Sequence, residues 1–338
     1  MRMNKKGILF LLMISMILMI TGCGQKQKKP SPQSENQQKP MPKTIEEIEN
    51  DAIKIMQLAD LVPYFEKAIE EKKAKEEQQK QEAAQQTMAQ GSAQDGGQGG
   101  GGQGGDQGGG QQGQQSQPAG GGQQEPPQPQ PRTLGDVILT EVLLREKTGG
   151  ENNQMQKPPE DITETWKEIN TTIKGIHDKW NVLEPVLMEE NVPSETIVGF
   201  ENTLDTLTAH GMQNKYFETL STANLLTSHL PKFMGNFKKD VPPTVFTLKF
   251  LVRNVVITAA SENYQGAQES LDKIKEQSQS VKSKLIEKKA KTTADKFDAS
   301  VSNLQKSVEK KDLNLIKINA SIVMKNIGLM RDDLAGSI

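Results

Sequence analysis

Three histidines are the side chains in this sequence best suited to hold a metal ion or to move protons. A di-metal site in a helical bundle needs paired Glu-x-x-His motifs with further carboxylates facing inward. The residue three positions before His177, His210 or His229 is lysine or leucine, never glutamate. We therefore expect histidines at the surface or its boundary, and we predict no metal site and no catalytic residue.

Other patterns that could carry chemistry are equally incomplete. The glycine-rich tract has no Gly-Lys-Ser/Thr and no preceding strand, so it does not match a phosphate loop. No Cys-x-x-Cys-His is present, and a Met/His haem pair has little support, because six of the 14 methionines lie before residue 44. Trp166 and Trp180 share a heptad position and could stack a ligand, although paired tryptophans at this spacing are more often core. We predict a core role, no cofactor and no enzymatic activity.

A single cysteine, Cys23, sits directly after an export-type leader. Three basic residues within positions 1–6 precede an apolar run at 7–20, which is too short for a spanning helix and typical of a signal peptide. With one cysteine, the chain can form neither an internal disulfide nor a cysteine-based metal site.

The sequence Ile20-Thr21-Gly22-Cys23 resembles the bacterial lipobox. The resemblance implies that the Cys23 thiol carries diacylglycerol and that the Gly22–Cys23 bond is cleaved. Two acyl chains such as palmitate give stable membrane attachment, where one is marginal. We therefore expect a lipid-anchored protein on the extracytoplasmic face of the cell membrane. The alternative is a plain signal peptide or short anchor with an incidental cysteine.

Composition limits the classes of partner. The formal net charge is −2, with mixed signs along the chain, so there is no basic footprint for nucleic acid. The hydrophobic fraction is 34%, and more than half of the 29 glycines lie between Gly91 and Gly122. That tract and the Pro-rich stretch after it cannot bury enough apolar surface to offset the entropy of ordering.

These shifts in composition predict the organisation of the chain. The amphipathic helix starts at a capping box at Thr44, and Pro63 is expected to kink or restart it. The predicted segments are a signal peptide (1–22), a flexible tether (23–43), an amphipathic and then charged helix (44–86), a disordered Gly/Gln/Pro-rich linker (87–132), a short helix and loop (133–160), and a helical domain (161–334).

The body carries apolar seams at helical spacing. The clearest seam has a 4-3-4-3-4-3-4 spacing over nearly four heptads, formed by Ile162, Trp166, Ile169, Ile173, Ile176, Trp180, Leu183 and Leu187. Later seams slip in phase at 211–214, 261–263 and 310–312, which indicates a bulge, a kink or a short break. We predict an all-α fold, an antiparallel bundle of about four long helices. Aligned slips could form a more open waist, although a shared stutter in the packing is the favoured interpretation.

Parts of the body resemble a group of lipoproteins of clostridia and related bacteria. The similar stretches are Trp166-Lys167-Glu168-Ile169, Ile176-His177-Asp178-Lys179-Trp180-Asn181, Asn214-Lys215-Tyr216 and Ala223-Asn224-Leu225. Together with the signal, the resemblance covers residues 160 to 334. Those proteins pair a lipobox with a C-terminal helical region and have no assigned activity, so the resemblance implies a location and a fold only.

The sequence leaves several functions open. The leading hypothesis is a non-enzymatic, membrane-tethered bundle that binds a protein or cell-wall partner in the envelope. The alternative is a lipoprotein that binds a small ligand or a metal in the middle of the bundle. A transporter-associated binding protein is disfavoured, because no strand-like runs alternate with the helices.

Overall fold

The chain folds entirely into helices wherever its structure is defined. The computed structural model describes residues 38–91, 137–146 and 157–336, and over these ranges it contains no strand, only one isolated bridge between Pro40 and Lys238. The predicted all-α class is therefore confirmed for the described residues.

The helices follow one another with short connections. They are α1 (Lys43–Gly91), α2 (Thr140–Glu146), α3 (Ile162–Glu189), α4 (Ser194–Met212), α5 (Tyr216–Thr227), α6 (Leu230–Met234), α7 (Pro243–Ala260), α8 (Tyr264–Glu287), α9 (Lys291–Glu309) and α10 (Leu313–Ala335). The structure does not confirm about four long helices, because the three predicted phase slips are complete helix ends. Each slip separates two helices: α4 from α5, α7 from α8, and α9 from α10.

Five of the helix connections share one turn geometry. In each, a non-glycine residue takes a positive φ directly after the last helical turn. After α3, the Asn191 N–H donates to Met188 O (3.1 Å) and the Val192 N–H donates to Leu187 O (3.0 Å), the paired bonds of a Schellman motif. Equivalent left-handed residues end α4, α7, α8 and α9: Asn214, Glu262, Lys289 and Lys311. The next helix begins after three residues in four of these connections and after four residues, 190–193, in the connection that follows α3.

Helices α8 and α9 run antiparallel. Between α8 and α9, Lys275 Nζ donates to Gln305 Oε1 (2.6 Å), and one helical repeat later Lys282 Nζ donates to Asp298 Oδ1 (2.9 Å). Residue numbers rise along α8 as they fall along α9. The turn at Lys289 therefore joins α8 and α9 into a helical hairpin.

The seam of α3 forms part of the common core, as predicted. Trp166 and Trp180 are 5% and 6% exposed, and the Trp180 ring stacks on Phe200 of α4 at 4.3 Å between centroids. Stacking and burial at this level are the features of a packing residue. The prediction that these tryptophans are core is confirmed.

The first helix packs on this body along its N-terminal half. Its predicted seam from Ile45 to Val62 is buried, and ion pairs join it to α3: Lys54 Nζ lies 2.8 Å from Glu168 Oε1, and Lys179 Nζ lies 2.5 Å from Asp51 Oδ2. Pro63 lies inside α1, which continues without a break. The side chains of residues 71–84 are exposed, in keeping with their Glu, Lys and Gln content.

One described helix, α7, is long and apolar enough to cross a membrane by length and composition alone. More than half of it, 56%, is buried inside the protein. The helix packs against α8 and α10, so its apolar composition serves the core.

Candidate functional site

The residues predicted for lipid attachment, Gly22 and Cys23, lie outside the described residues, as does most of the predicted linker at 87–132. The lipobox therefore remains a prediction from the sequence.

The three histidines each bond to a threonine. His177 Nε2 lies 2.8 Å from Thr208 Oγ1, and His210 Nδ1 lies 3.1 Å from Thr222 Oγ1. Over the described residues, no group of three or more His, Cys, Asp or Glu side chains could hold a metal ion. These contacts connect neighbouring helices, which is a structural role.

His229 is the most perturbed of the three. Its Nε2 lies 3.1 Å from Thr203 Oγ1, and its ring meets Phe200 edge-on at 6.1 Å between centroids. Burial, with a smaller contribution from Lys232, lowers the pKa of His229 to about 4. Its ring is therefore neutral at physiological pH.

A cluster of buried charges is the polar centre that sequence reasoning missed. Two carboxylates and two cations meet at it, Glu49 from α1, Glu146 from α2, and Lys249 and Arg253 from α7. Charged side chains are almost never fully buried unless they are paired. The signal was present in the sequence: Lys249 and Arg253 are four residues apart, and so on one face, in an otherwise apolar helix.

Arg253 is fully buried and is bonded on every side. Its Nη1 donates to both oxygens of Glu146, at 2.6 and 2.7 Å. Its Nε donates to Asn224 Oδ1 and its Nη2 to Thr227 Oγ1, both at 2.8 Å. These two α5 side chains fix the plane of the guanidinium independently of Glu146. The group is therefore oriented to bind an anion.

Lys249 joins the two carboxylates. Its Nζ lies 3.5 Å from Glu49 Oε1 and 3.4 Å from Glu146 Oε1, and it stands over the Phe246 ring at 5.1 Å from the centroid. The cluster therefore contains two carboxyl groups and two basic groups.

The pKa values of the two carboxylates shift in opposite directions. Burial raises the pKa of Glu49, and the charge of Lys249 only partly offsets that effect. Burial also acts to raise the pKa of Glu146, but the adjacent charges of Arg253 and Lys249 outweigh it and hold that pKa below its ordinary value. Glu146 is therefore the ionised partner of Arg253 at neutral pH.

Two more buried charged residues, Asp60 and Lys317, contact the start of the segment 137–146, whose last residue is Glu146. The Asp60 carboxylate accepts hydrogen bonds from the backbone N–H groups of Ile138 (2.6 Å), Leu139 (2.9 Å) and Thr140 (2.7 Å), and from the Thr140 hydroxyl (2.7 Å). Burial raises the pKa of Asp60, and these four bonds oppose the rise. On the opposite wall, Lys317 Nζ donates to Val137 O.

Beside the charge cluster lies a cleft of about 690 Å³, lined among others by Met41, Glu46, Asp240, Phe246 and Arg331. Carboxylates and cations both line it, so the cleft has no single charge preference. In the cluster itself, every charge has an opposite charge within reach, an arrangement that structural ion-pair networks share with active sites. The geometry favours a structural role for the cluster and leaves the cleft as a possible space for a ligand.

Comparison of the chain with protein-family models, with curated proteins and with solved structures finds no match. The resemblance to clostridial lipoproteins therefore stays a prediction.

Proposed function

We propose that this protein is a membrane-anchored, extracytoplasmic lipoprotein whose helical body binds a protein partner in the cell envelope and catalyses no reaction. The observation that carries the proposal is the sequence Ile20-Thr21-Gly22-Cys23, in which the single cysteine of the chain follows a signal-type leader. In this proposal the body is an antiparallel bundle, and residues 23–39 and 92–132 act as flexible tether and linker.

The anchor is tested by labelling cells with a fatty-acid analogue. Cys23→Ala should abolish the label and leave either released protein or uncleaved precursor. Thr21→Ala is the matched control, because it keeps a small residue within the motif and should still be labelled and cleaved. Undiminished label on the Cys23→Ala chain would show that the lipoprotein assignment is wrong.

The outward face of α10 supports a binding role. Leu315, Ile318, Ile322 and Leu329 are 37–44% exposed, and their 3-4-7 spacing places them in one stripe along the helix. The opposite face of α10, including Ile316 and Val323, is buried in the core. A stripe of this spacing is the surface that a second apolar helix packs against, so we take the partner to present such a helix.

The binding role is tested with a photo-crosslinking amino acid at Ile322 in intact cells. The matched control position is Glu276 on α8, which is also exposed. We expect one discrete crosslinked product from position 322, with the added mass of one other protein, and none from 276. Products of twice the chain mass, or equal crosslinking at both positions, would contradict a distinct envelope partner at this stripe.

A small-ligand lipoprotein is the second candidate, because the cleft beside Phe246 is large enough for a small molecule. The predicted waist no longer supports it, since 211–214, 261–263 and 310–312 are helix ends and not openings within helices. Native mass spectrometry of protein purified from its own envelope measures this directly. A mass excess over the calculated chain mass that is lost in Phe246→Glu and kept in Phe250→Tyr would favour the ligand. The same mass excess in all three proteins, or none in any of them, would exclude it.

A further inference from the structure

Residues 137–146 contact the rest of the protein as a bound peptide does. Val137, Leu139, Val142 and Leu143 are buried, and the two ends of the segment are held by charges from elsewhere in the chain. These charges are Asp60 on α1, Arg253 on α7 and Lys317 on α10. We call the site between them the 137–146 groove.

Most polar contacts between the groove and its occupant are to backbone groups of the occupant. Asp60 bonds to three successive backbone N–H groups and one hydroxyl, and Lys317 bonds to a backbone carbonyl. Specificity is left to the buried apolar side chains and to the bidentate pair of Glu146 with Arg253. The chemistry recognised is an apolar peptide with a Thr near its start and a Glu six residues after that Thr.

An empty groove is strongly disfavoured. If residues 137–146 left, Asp60 would lose its four hydrogen bonds to residues 138–140 and Arg253 would lose its ion pair with Glu146. An unpaired buried charge costs several kcal/mol. An identical segment from another molecule would restore every one of these contacts. Exchange is therefore nearly neutral in contact energy, and its extent is set by the effective concentration of each segment.

The chain on either side of the segment is long enough for exchange. On the N-terminal side about 45 residues separate it from the end of α1, with a reach of at most roughly 150 Å. On the C-terminal side about 10 residues lead to residue 157, with a reach of at most roughly 35 Å. Both connections exceed the width of a helix by several fold.

We propose that the 137–146 groove accepts residues 137–146 of a second copy of this chain as well as its own, so that neighbouring molecules link by exchanging this segment. In the exchanged pair, each copy supplies Glu146 to Arg253 of the other. The proposal does not depend on the lipid anchor or on an envelope partner, although a membrane surface would concentrate the copies.

Charge reversal separates exchange from cis docking. Glu146→Arg and Arg253→Glu are made in separate mature chains that carry Cys23→Ser, and each chain alone places like charges in its own groove. When the two are mixed, exchange pairs Glu146 with Arg253 in one groove and the reversed pair in the other. We expect a heterodimer of twice the chain mass by light scattering and native mass spectrometry, and monomers from either chain alone or from either chain mixed with wild type.

A labelled peptide of residues 135–148 provides an arm that needs no reversed chain to fold. It should bind the Glu146→Gln full chain at least tenfold more tightly than wild type, because the resident segment there lacks its charge. A peptide with Glu146→Lys should not bind. If the mixture of the two reversed chains contains only monomers, the exchange proposal is wrong. If either reversed chain fails to fold, equal binding of the two peptides, or binding of neither, overturns it instead.

Discussion

Removal of the Arg253 guanidinium tests the buried charge cluster most directly. Arg253→Met keeps an unbranched apolar stem but leaves the Glu146 carboxylate, whose side chain is 2% exposed, with only Lys249 at 3.4 Å. Breaking a buried pair by removing one partner costs about 3–5 kcal/mol. Because domains of ordinary size unfold with about 5–15 kcal/mol, we expect a loss of at least about a fifth of the total stability.

The double variant decides whether the pair or each residue alone is responsible. Glu146→Leu by itself strands Arg253 and should cost about as much as Arg253→Met. With both changes, no charge of the pair is left alone, and Lys249 keeps Glu49 at 3.5 Å. The remaining cost is a lost hydrogen bond at Asn224 and another at Thr227, about 1 kcal/mol each. The double variant should therefore be more stable than either single variant.

Urea unfolding of the mature Cys23→Ser chain, followed by circular dichroism at pH 7, measures all three variants. Lys282→Met is the matched control, because it also removes a cation from an ion pair, but Asp298 at 2.9 Å is half exposed and the expected loss is below about 1 kcal/mol. Losses that simply add in the double variant, or an Arg253→Met loss no larger than that of the control, would refute the reasoning.

Three further outcomes are expected. Trp180→Ala should cost about 3–5 kcal/mol in the same unfolding assay, while His177→Ala should cost under about 1.5 kcal/mol; similar losses would contradict the core role. The folded pKa of His229, about 4, lies below its ordinary value of 6.5. The folded chain thus binds fewer protons between these values, and stability should fall as pH drops from 6.5 to 4. The slope should be well under about 1.4 kcal/mol per pH unit, since the ring is partly exposed, and His229→Gln should flatten it; an unchanged slope would show that other groups cause it. A protease cut within 92–136 should leave two pieces that elute together from a sizing column at pH 7 and separate in urea; separation without urea would contradict the docking of α1.

The apolar seams were predictable because helical spacing is a local signal. Ile45 to Val62 in α1 and Ile162 to Leu187 in α3 repeat at three and four residues. Both seams are buried apart from Ile162, which is partly buried. The helix ends were visible only as changes of phase. A glycine would have marked each end, but Glu262, Lys289 and Lys311 occupy left-handed positions with no sign of it in their residue type.

The charge cluster was predictable in part. Lys249 and Arg253 on one face of an apolar helix indicate two buried cations, which need carboxylate partners. The identity of those partners was not readable, because Glu146 lies 107 residues from Arg253 and Asp60 lies 78 residues from Ile138. No local periodicity encodes a contact between segments at such separation.

The helical hairpins and the 137–146 groove place opposite demands on the order of folding. A hairpin such as α8–α9 closes a loop of only a few residues and forms on the microsecond scale of local contacts. Docking of α2 must wait for α10, since Val137 and Lys317 are 180 residues apart. During synthesis from the N-terminus, α1 appears first, yet its seam has no surface to pack on until α3 and α5 have followed. The apolar half of α1 must therefore stay unpaired while residues 92–227 are added, and the exposed Glu, Lys and Gln side chains of residues 71–84 favour solubility of the nascent chain during that interval.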